Sequence, residues 1–218
     1  MIAVIVPAHN EETSIARCVD SLLVAAAHPG LAMEPVEIIV VLDSCSDGTE
    51  RALRDYPVHR LLVEHRNVGK SRAAGADLAI AGGARWLAAT DADTRVPSTW
   101  LVDQLAFGTD AVCGTVAVDD WSLHPAPVRA RYDSLYTPSD GHRHIHGANL
   151  GVSAHAYQRV GGFKPLAAHE DIRLISDLQA CGASITWTAK NCVTTSARPD
   201  CRCSEGFGAY LSSLLVTT

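Results

Sequence analysis

Short apolar runs alternate with helical patterns through the first half of the chain, and this alternation limits the possible folds more than any other feature. Helical patterns begin at Glu11 and occupy Gly69–Ala81, and Ser and Asp residues within Asp43–Thr49 are natural caps for a further helix that runs to about Tyr56. Strands that alternate with helices of about ten to fifteen residues indicate right-handed crossovers and a mainly parallel sheet. The predicted class is therefore α/β, with helices on both faces of the sheet. The strands are predicted at Ile2–Val6, Val36–Leu42, Arg60–Val63 and Trp86–Ala89.

The pattern is looser after Asp93. No linker rich in Gly, Pro or Ser separates the two halves, so residues 1–218 are expected to form a single domain. The stretch from Val118 to His146 is rich in Pro, His and Asp and is predicted to be irregular. Helices are predicted at Pro97–Phe107, Ala154–Val160 and Glu170–Cys181, and strands at Ala111–Val118, Gly147–Val152 and Ser184–Thr188.

Charge and hydropathy exclude several classes of partner. The chain has 18 basic and 24 acidic residues, a formal net charge of −6, and no basic run, which disfavours duplex nucleic acid as a ligand. No apolar stretch reaches the length of a membrane-spanning helix, and the N-terminal sequence has neither a basic region nor a cleavage site typical of export signals. We therefore expect a protein of the cytoplasm.

Cysteine and histidine clusters raise the question of a metal site. The seven cysteines are an odd number, which favours reduced thiols over a disulfide framework. Cys192, Cys201 and Cys203 lack the paired spacing of a zinc site. The alternating histidines place three imidazoles on one side of an extended segment, and a polar loop facing a substrate is favoured there over a metal site. These histidines are His142, His144 and His146.

Acidic side chains follow the predicted strands where each strand ends. Asp91 and Asp93 come directly after a buried strand, Asp43 ends another, and the Pro7–Glu12 loop follows the first. The carboxyl ends of parallel strands meet at one edge of the sheet, so three acidic loops are expected to converge there. Two carboxylates one residue apart can reach one hard cation, although such aspartates can also merely cap the next helix. An acidic cleft of this kind favours a diphosphate that carries Mg²⁺ or Mn²⁺, with Lys70 and Arg72 adding positive charge nearby.

Four motifs follow one another along the chain: VPAHNEE at residues 6–12, VVLDSCSDGT at 40–49, NVGK at 67–70 and DAD at 91–93. Gly-Gly-Phe at residues 161–163 and Glu170-Asp171 lie downstream. In this order the motifs resemble those of glycosyltransferase family 2, with the similarity running from the first strand to about Thr188.

Membership of that family would imply a GT-A fold with a Rossmann-like sheet. It would also imply a nucleotide-diphosphate sugar donor, a divalent cation (Mn²⁺ or Mg²⁺) and sugar transfer to a hydroxyl acceptor with inversion at the anomeric carbon. On this reading residues 1–95 form the donor half, and residues 96–218 form the acceptor and catalytic-base half.

The resemblance also assigns roles on the donor side. Pro7, His9 and Glu11 fall in the loop that lies against the nucleoside in the family, and Asp43 falls where an acidic residue reads the base. Asp91 and Asp93 match the DxD pair, in which the first aspartate usually approaches the ribose or sugar, and the second the metal and diphosphate.

Further residues are assigned on the acceptor side and at the diphosphate. Asp171 matches the usual catalytic base, and Glu170 is the fallback base. Arg198 and Arg202 resemble an arginine-bearing segment that approaches the diphosphate in some relatives, although a surface tail is an equal alternative. Trp121–Asn149 is the expected acceptor region.

Two alternatives to a transferase stay open, and the membrane question is only partly answered. A sugar-phosphate nucleotidyltransferase would share the sheet, but it needs a glycine-rich phosphate loop that the first strand lacks. A non-catalytic nucleotide-sugar binding protein would lack a working base. The apolar segment Gly206–Val216 is too short to span a bilayer, which argues against a polymerase with its own membrane channel and leaves peripheral membrane contact open.

Overall fold

A single sheet runs through the computed structural model, which describes residues 1–118, 120–199 and 206–215. Seven strands are present in these ranges, in the order β3-β2-β1-β4-β6-β5-β7. They are β1 Ile2–Ala8, β2 Val36–Asp43, β3 His59–Val63, β4 Trp86–Ala89, β5 Ala111–Val118, β6 Leu150–Ser153 and β7 Ile185–Thr195.

Helices connect most of the strands and cover both faces of the sheet. In the described ranges these are α1 Ile15–Ala26, α2 Thr49–Ala52, α3 Val68–Ala81, α4 Trp100–Ala106, α5 Ala126–Leu135, α6 Ala154–Arg159, α7 Glu170–Ala180 and α8 Phe207–Ser213, with a short 3-10 helix at Pro29–Leu31. Within this part of the chain, no helix has the length and apolarity needed to cross a lipid bilayer.

Most strand pairs are parallel, which confirms the predicted class. Strand β1 pairs with β2 and β4, β2 with β3, and β5 with β7, all in parallel. Only β6 among these strands is reversed, and it pairs antiparallel with both β4 and β5. All strands except β6 therefore end at the same edge of the sheet.

Strand β1 shows why the sheet needs helices on both sides. Its alternate residues Ile2, Val4 and Val6 pack into one apolar cluster with α1, whereas Ala3 and Ile5 pack into another with α3 and α7. Side chains of successive strand residues point to opposite faces, so a strand buried on both faces is a continuous apolar run rather than an alternating one.

Two predictions about the second half were wrong. The stretch expected to be irregular contains α5, whose buried residues are only Val128 and Tyr132, so its sequence carries little helical periodicity. These residues pack with Leu211 of α8 in a small separate cluster. Strand β7 runs on to Thr195 rather than ending at Thr188, because its second half pairs with β5 beyond an irregularity between Cys113 and Thr115.

A buried amide, Asn149, ties the strands of the second half to α4. Its Oδ1 accepts the indole N–H of Trp100 at 2.8 Å. Its Nδ2 donates to the carbonyl oxygens of Thr115 at 2.8 Å and Asn191 at 2.9 Å. Since Asn149 directly precedes β6, this network fixes where the reversed strand begins.

Replacing Asn149 by alanine should lower the free energy of unfolding by about 3 kcal/mol, because each buried group left without its partner costs about 1–3 kcal/mol. Urea unfolding of Asn149→Ala measures this directly. The matched control is Gln179→Ala, which removes an exposed amide from α7. Equal losses in the two variants would contradict the proposed importance of the network.

Candidate active site

The loops after β1 and β2 are joined at the carboxyl edge of the sheet by hydrogen bonds between side chains and backbone N–H groups. Asn10 Oδ1 accepts the N–H of Ser46 at 2.8 Å, and Glu12 Oε2 accepts the N–H of Gly48 at 2.8 Å. In return, the N–H of Glu12 donates to Asp47 Oδ2 at 3.1 Å. Parallel strands bring these loops together, and the polar side chains then fix their relative position.

His9 projects from this joined pair of loops in a defined tautomer. Its Nδ1 lies 2.7 Å from the carbonyl oxygen of Asp43, and a carbonyl can only accept, so Nδ1 carries the proton. In the neutral ring Nε2 is then a hydrogen-bond acceptor. Pro7, also assigned to the nucleoside loop, lies half-buried within β1.

The Asp43 carboxylate is buried and organises the segment before α3. It accepts the backbone N–H groups of His65 (2.7 Å), Arg66 (2.8 Å) and Asn67 (3.0 Å), and the hydroxyls of Ser71 (2.7 Å) and Ser44 (3.0 Å). The positive φ of Arg66, 46°, turns the backbone so that three successive amides converge on one side chain.

Five donors therefore use the acceptor positions of the Asp43 carboxylate, which has about four lone-pair sites. Burial alone would raise its pKa, but the hydrogen bonds from Arg66, Ser71, Asn67 and His65 outweigh burial and lower the pKa to about 2. The structure thus gives Asp43 a role in holding the loop. Contact between Asp43 and a nucleobase stays a prediction.

The role of Asp43 in holding the loop should be visible in how the free energy of unfolding depends on pH. A carboxyl whose pKa is lower in the folded than in the unfolded chain stabilises the fold above its unfolded pKa of about 3.9 and loses that contribution as the pH falls towards 2. Wild type should therefore lose about 2 kcal/mol more unfolding free energy than Asp43→Asn between pH 4.5 and 2. Urea unfolding at several pH values tests this, and parallel pH curves for the two proteins would count against it.

Asp91 and Asp93 lie in the turn after β4. The thiol of Cys18 donates to the carbonyl oxygen of Asp91 at 3.4 Å, and Arg95 exchanges backbone hydrogen bonds with Thr194 of β7. The Asp91 side chain is 39% exposed and that of Asp93 17%. Burial and then the charge of Asp91 raise the pKa of Asp93 to about 7, against the opposing effect of Arg198.

Glu11 and Arg198 form an ion pair above the same turn. Both Nη groups of Arg198 donate to the Glu11 carboxylate, which is buried and also accepts the Ser14 hydroxyl at 2.6 Å. Arg198 Nη2 lies 3.3 Å from Asp93 Oδ2. Glu11 and Arg198 thus lie together at the turn that contains Asp91 and Asp93, here called the DxD turn. Arg202, the second arginine assigned to the diphosphate, falls outside the described residues, as do Cys201 and Cys203.

Asp171 lies in the first turn of α7, at the same edge of the sheet. Its Oδ2 accepts the N–H of Gly147 at 2.6 Å, and its Oδ1 accepts the N–H of Ile172 at 2.8 Å. The preceding His169 has φ of 63°, which turns the chain into the helix. The carboxylate is half-buried and its orientation is fixed by backbone donors.

Glu170 differs from its neighbour in being buried and paired. Its Oε1 accepts Nη1 of Arg72, and the other end of that guanidinium, Nη2, donates to Asp91 Oδ1 at 2.5 Å. Burial raises the pKa of Glu170, and the charge of Arg72 opposes the shift. The sequence showed Arg72 only as a positive charge near the edge; nothing in the local pattern indicates a pair with a residue 98 positions away.

Lys70, the other predicted cation, is placed differently. Its backbone N–H donates to Asn67 Oδ1 at 2.9 Å, which caps α3, and its side chain is exposed. It directly precedes Ser71 and Arg72, whose side chains are buried at the site.

The three predicted histidines do lie on one side of their segment. The rings of His142 and His144 stack with centroids 5.5 Å apart, and those of His144 and His146 with centroids 6.1 Å apart. The hydroxyl of Tyr136 accepts the N–H of Val116 and is hydrogen-bonded to His146 Nε2 at 3.1 Å. Burial lowers the pKa of His146 to about 4, so its ring is neutral at pH 7.

The oxygen donors at the DxD turn suit a hard cation that arrives with its ligand. Within the described ranges, no group of three or more His, Cys, Asp or Glu side chains is arranged to hold a metal alone. Mg²⁺ and similar ions are commonly held by one or two carboxylates together with substrate phosphates. Asp91 and Asp93 fit that pattern, since both carboxylates lie in one turn at the end of β4.

A family model places this edge in a known context. The model for glycosyl transferase family 2 matches residues 3–160, well over half of the chain. The chain belongs to glycosyl transferase family 2. The match covers the DxD turn and the loops after β1 and β2, and it ends before α7. Among curated proteins, no similar sequence was found.

Solved structures agree on the fold of this family member. TarS from S. aureus, residues 1–349 in complex with UDP-GlcNAc, superposes with a TM-score of 0.69 at 17% identity, covering 100% of this chain and 67% of TarS 1–349. The mannosyltransferase PcManGT from Pyrobaculum calidifontis, in complex with GDP-Man and Mn²⁺, gives 0.67 at 20% identity, covering 96% and 59%. These similarities confirm the expected GT-A fold. The chain spans about 60% of the length of another TarS 1–349 structure and of PcManGT.

Proposed function

We propose that this family 2 member is a metal-dependent inverting glycosyltransferase that moves a sugar from a nucleotide-diphosphate sugar to a hydroxyl acceptor. One observation carries the proposal. The DxD turn and the ordered carboxylate of Asp171 lie at the same sheet edge, and Arg72 joins Asp91 to the first turn of the helix that bears Asp171. On this proposal the donor-binding turn and the proton acceptor would lie close together at one edge of the sheet.

The donor class follows from the family and its structural neighbours. TarS binds UDP-GlcNAc and UDP, and PcManGT binds GDP-Man with Mn²⁺. In this chain the corresponding nucleoside would lie against Pro7 and His9, with His9 Nε2 as an acceptor for a base N–H. Asp43 would act there through the segment it holds, and Lys70 and Arg198 would supply positive charge towards the phosphates.

Asp93, with Asp91, would hold the divalent cation. When bound, that cation would stabilise the negative charge that develops on the departing diphosphate. Glu11 and Arg198 contribute in a different way. Their ion pair places a guanidinium 3.3 Å from Asp93, and it fixes the chain that follows β7 over the DxD turn.

Inversion requires one base on the acceptor side, and Asp171 is suited to that role. An inverting transfer needs a carboxylate that removes the proton of the acceptor hydroxyl as the oxygen attacks the anomeric carbon. The proton moves to the Asp171 carboxylate, whose direction is set by the N–H groups of Gly147 and Ile172. Glu170, buried against Arg72, is poorly placed to exchange protons with an acceptor.

Nucleotide binding gives the first test. One of UDP, GDP, dTDP or CDP should raise the unfolding temperature of wild type when Mn²⁺ is present, since a ligand at about 100 times its Kd adds about 2.7 kcal/mol. Asp93→Ala should lose the Mn²⁺-dependent part of the shift. Asp55→Ala, which removes an exposed aspartate away from the edge, should keep it. A panel without any shift would reject the donor site.

The base is tested by turnover. Asp171→Asn should lower kcat by about 10²–10⁴-fold, the usual contribution of general base catalysis, while nucleotide affinity is kept. Asp177→Asn, farther along α7, should have little effect on kcat. If Glu170→Gln lowered kcat as strongly as Asp171→Asn, Glu170 would share the role. A wild type that binds the donor but neither transfers nor hydrolyses it would instead be a nucleotide-sugar binding protein.

A further inference from the structure

The guanidinium of Arg72 is the most deeply buried charge at the site. Arg72 lies in the second turn of α3, and its side chain is 3% exposed. Its two Nη groups reach residues on separate elements, Asp91 after β4 and Glu170 at the start of α7. One rigid planar group thus connects the carboxyl end of a central strand with the helix that carries the proposed base.

A third contact brings in the chain that holds the base. A Cβ on Gly147 would overlap Nη1 of Arg72, so only glycine leaves room for the guanidinium at this position. The N–H of the same Gly147 donates to Asp171 Oδ2 at 2.6 Å. The donor that orients the Asp171 carboxylate is therefore packed directly against Arg72.

Stability alone gives a weak reason for this arrangement. Desolvation of a buried ion pair often cancels its Coulombic gain, and apolar replacements are frequently as stable. In the part of the chain that the structure describes, the Arg72 Nε is buried without a hydrogen-bond partner, a further energetic cost. A costly group that touches three functional segments is better explained by geometry that the reaction needs.

We propose that Arg72 is a positioning residue that sets Asp171 relative to Asp91, and so places the base against the donor. This proposal rests on the function proposed above. With so little exposure, Arg72 acts through its partners rather than on a substrate. Reactive groups displaced by about 1 Å can slow a reaction about 100-fold, which is the size of effect expected when the guanidinium is lost.

Lysine should not replace Arg72. The planar guanidinium offers donors in a fixed fork that reaches two carboxylates at once, whereas an ammonium is a single point charge on a flexible stem. Arg72→Lys should therefore keep the positive charge but lose the alignment.

The experiment compares Glu170→Gln with Arg72→Met/Glu170→Gln. Glu170→Gln removes the buried carboxylate that Arg72→Met alone would leave without its partner. The two proteins differ only at position 72, so any role of Glu170 in chemistry cancels. Three properties are measured at a temperature below the unfolding midpoints of both variants. They are kcat, the nucleotide Kd with Mn²⁺, and amide hydrogen exchange at Gly147 and in β1. Arg85→Met serves as control, because it removes an exposed arginine bonded to Glu34 at the opposite edge of the sheet.

We expect kcat to fall about 100-fold in the double variant relative to Glu170→Gln, with nucleotide Kd much less affected. Gly147 should lose exchange protection while β1 keeps it, since local opening is independent of global unfolding. Equal kcat and equal Gly147 protection in the two proteins would overturn the proposal, as would a parallel loss of kcat, Kd and β1 protection. A wild type without turnover would refute the proposed function, and Gly147 exchange would still decide whether Arg72 positions Asp171.

Discussion

The arrangement of the site depends on one buried positive charge among several carboxylates. Arg72 forms ion pairs with Asp91 and Glu170, and it also interacts electrostatically with Asp171. Without that charge, the acidic turn after β4 and the acidic start of α7 would repel each other at this edge of the sheet. The sheet brings these segments to one edge, but only an intervening cation lets them stay close there.

The loops after β1 and β2 are held in a different way, by side chains that accept hydrogen bonds from backbone amides. Asn10, Glu12, Asp43 and Asp47 each accept N–H groups from a neighbouring loop. Loops at the end of a parallel sheet have few backbone partners of their own, and each unpaired buried amide is costly. The polar motifs after β1 and β2 therefore serve first to fix the shape of the loops, and through that shape to present His9 and the start of α3.

The sequence predicted the strands that consist of consecutive buried apolar residues. It did not predict the features that depend on contacts between residues far apart in the chain. Strands β1, β2 and β4 are apolar runs because helices cover them on both faces, and their polar ends then follow from parallel topology. Helix α5 buries too few residues to show a period. The bonds that saturate Asp43 and the pair between Arg72 and Glu170 join residues far apart in the chain, and no local spacing encodes them.

The reversed strand β6 also affects how the segment between β5 and β6 can vary in length and sequence. Strand β5 ends at the carboxyl edge, and β6, antiparallel to it, begins at that edge. The segment between them, which includes α5 and the stacked histidines, leaves the sheet at the carboxyl edge and returns to it at the same edge. Such an excursion can be lengthened, shortened or exchanged for that of a relative without rethreading any strand. The topology thus separates the fixed part of the sheet formed by β1 to β4 from a replaceable segment at its carboxyl edge, and recombination between family members would exploit that junction.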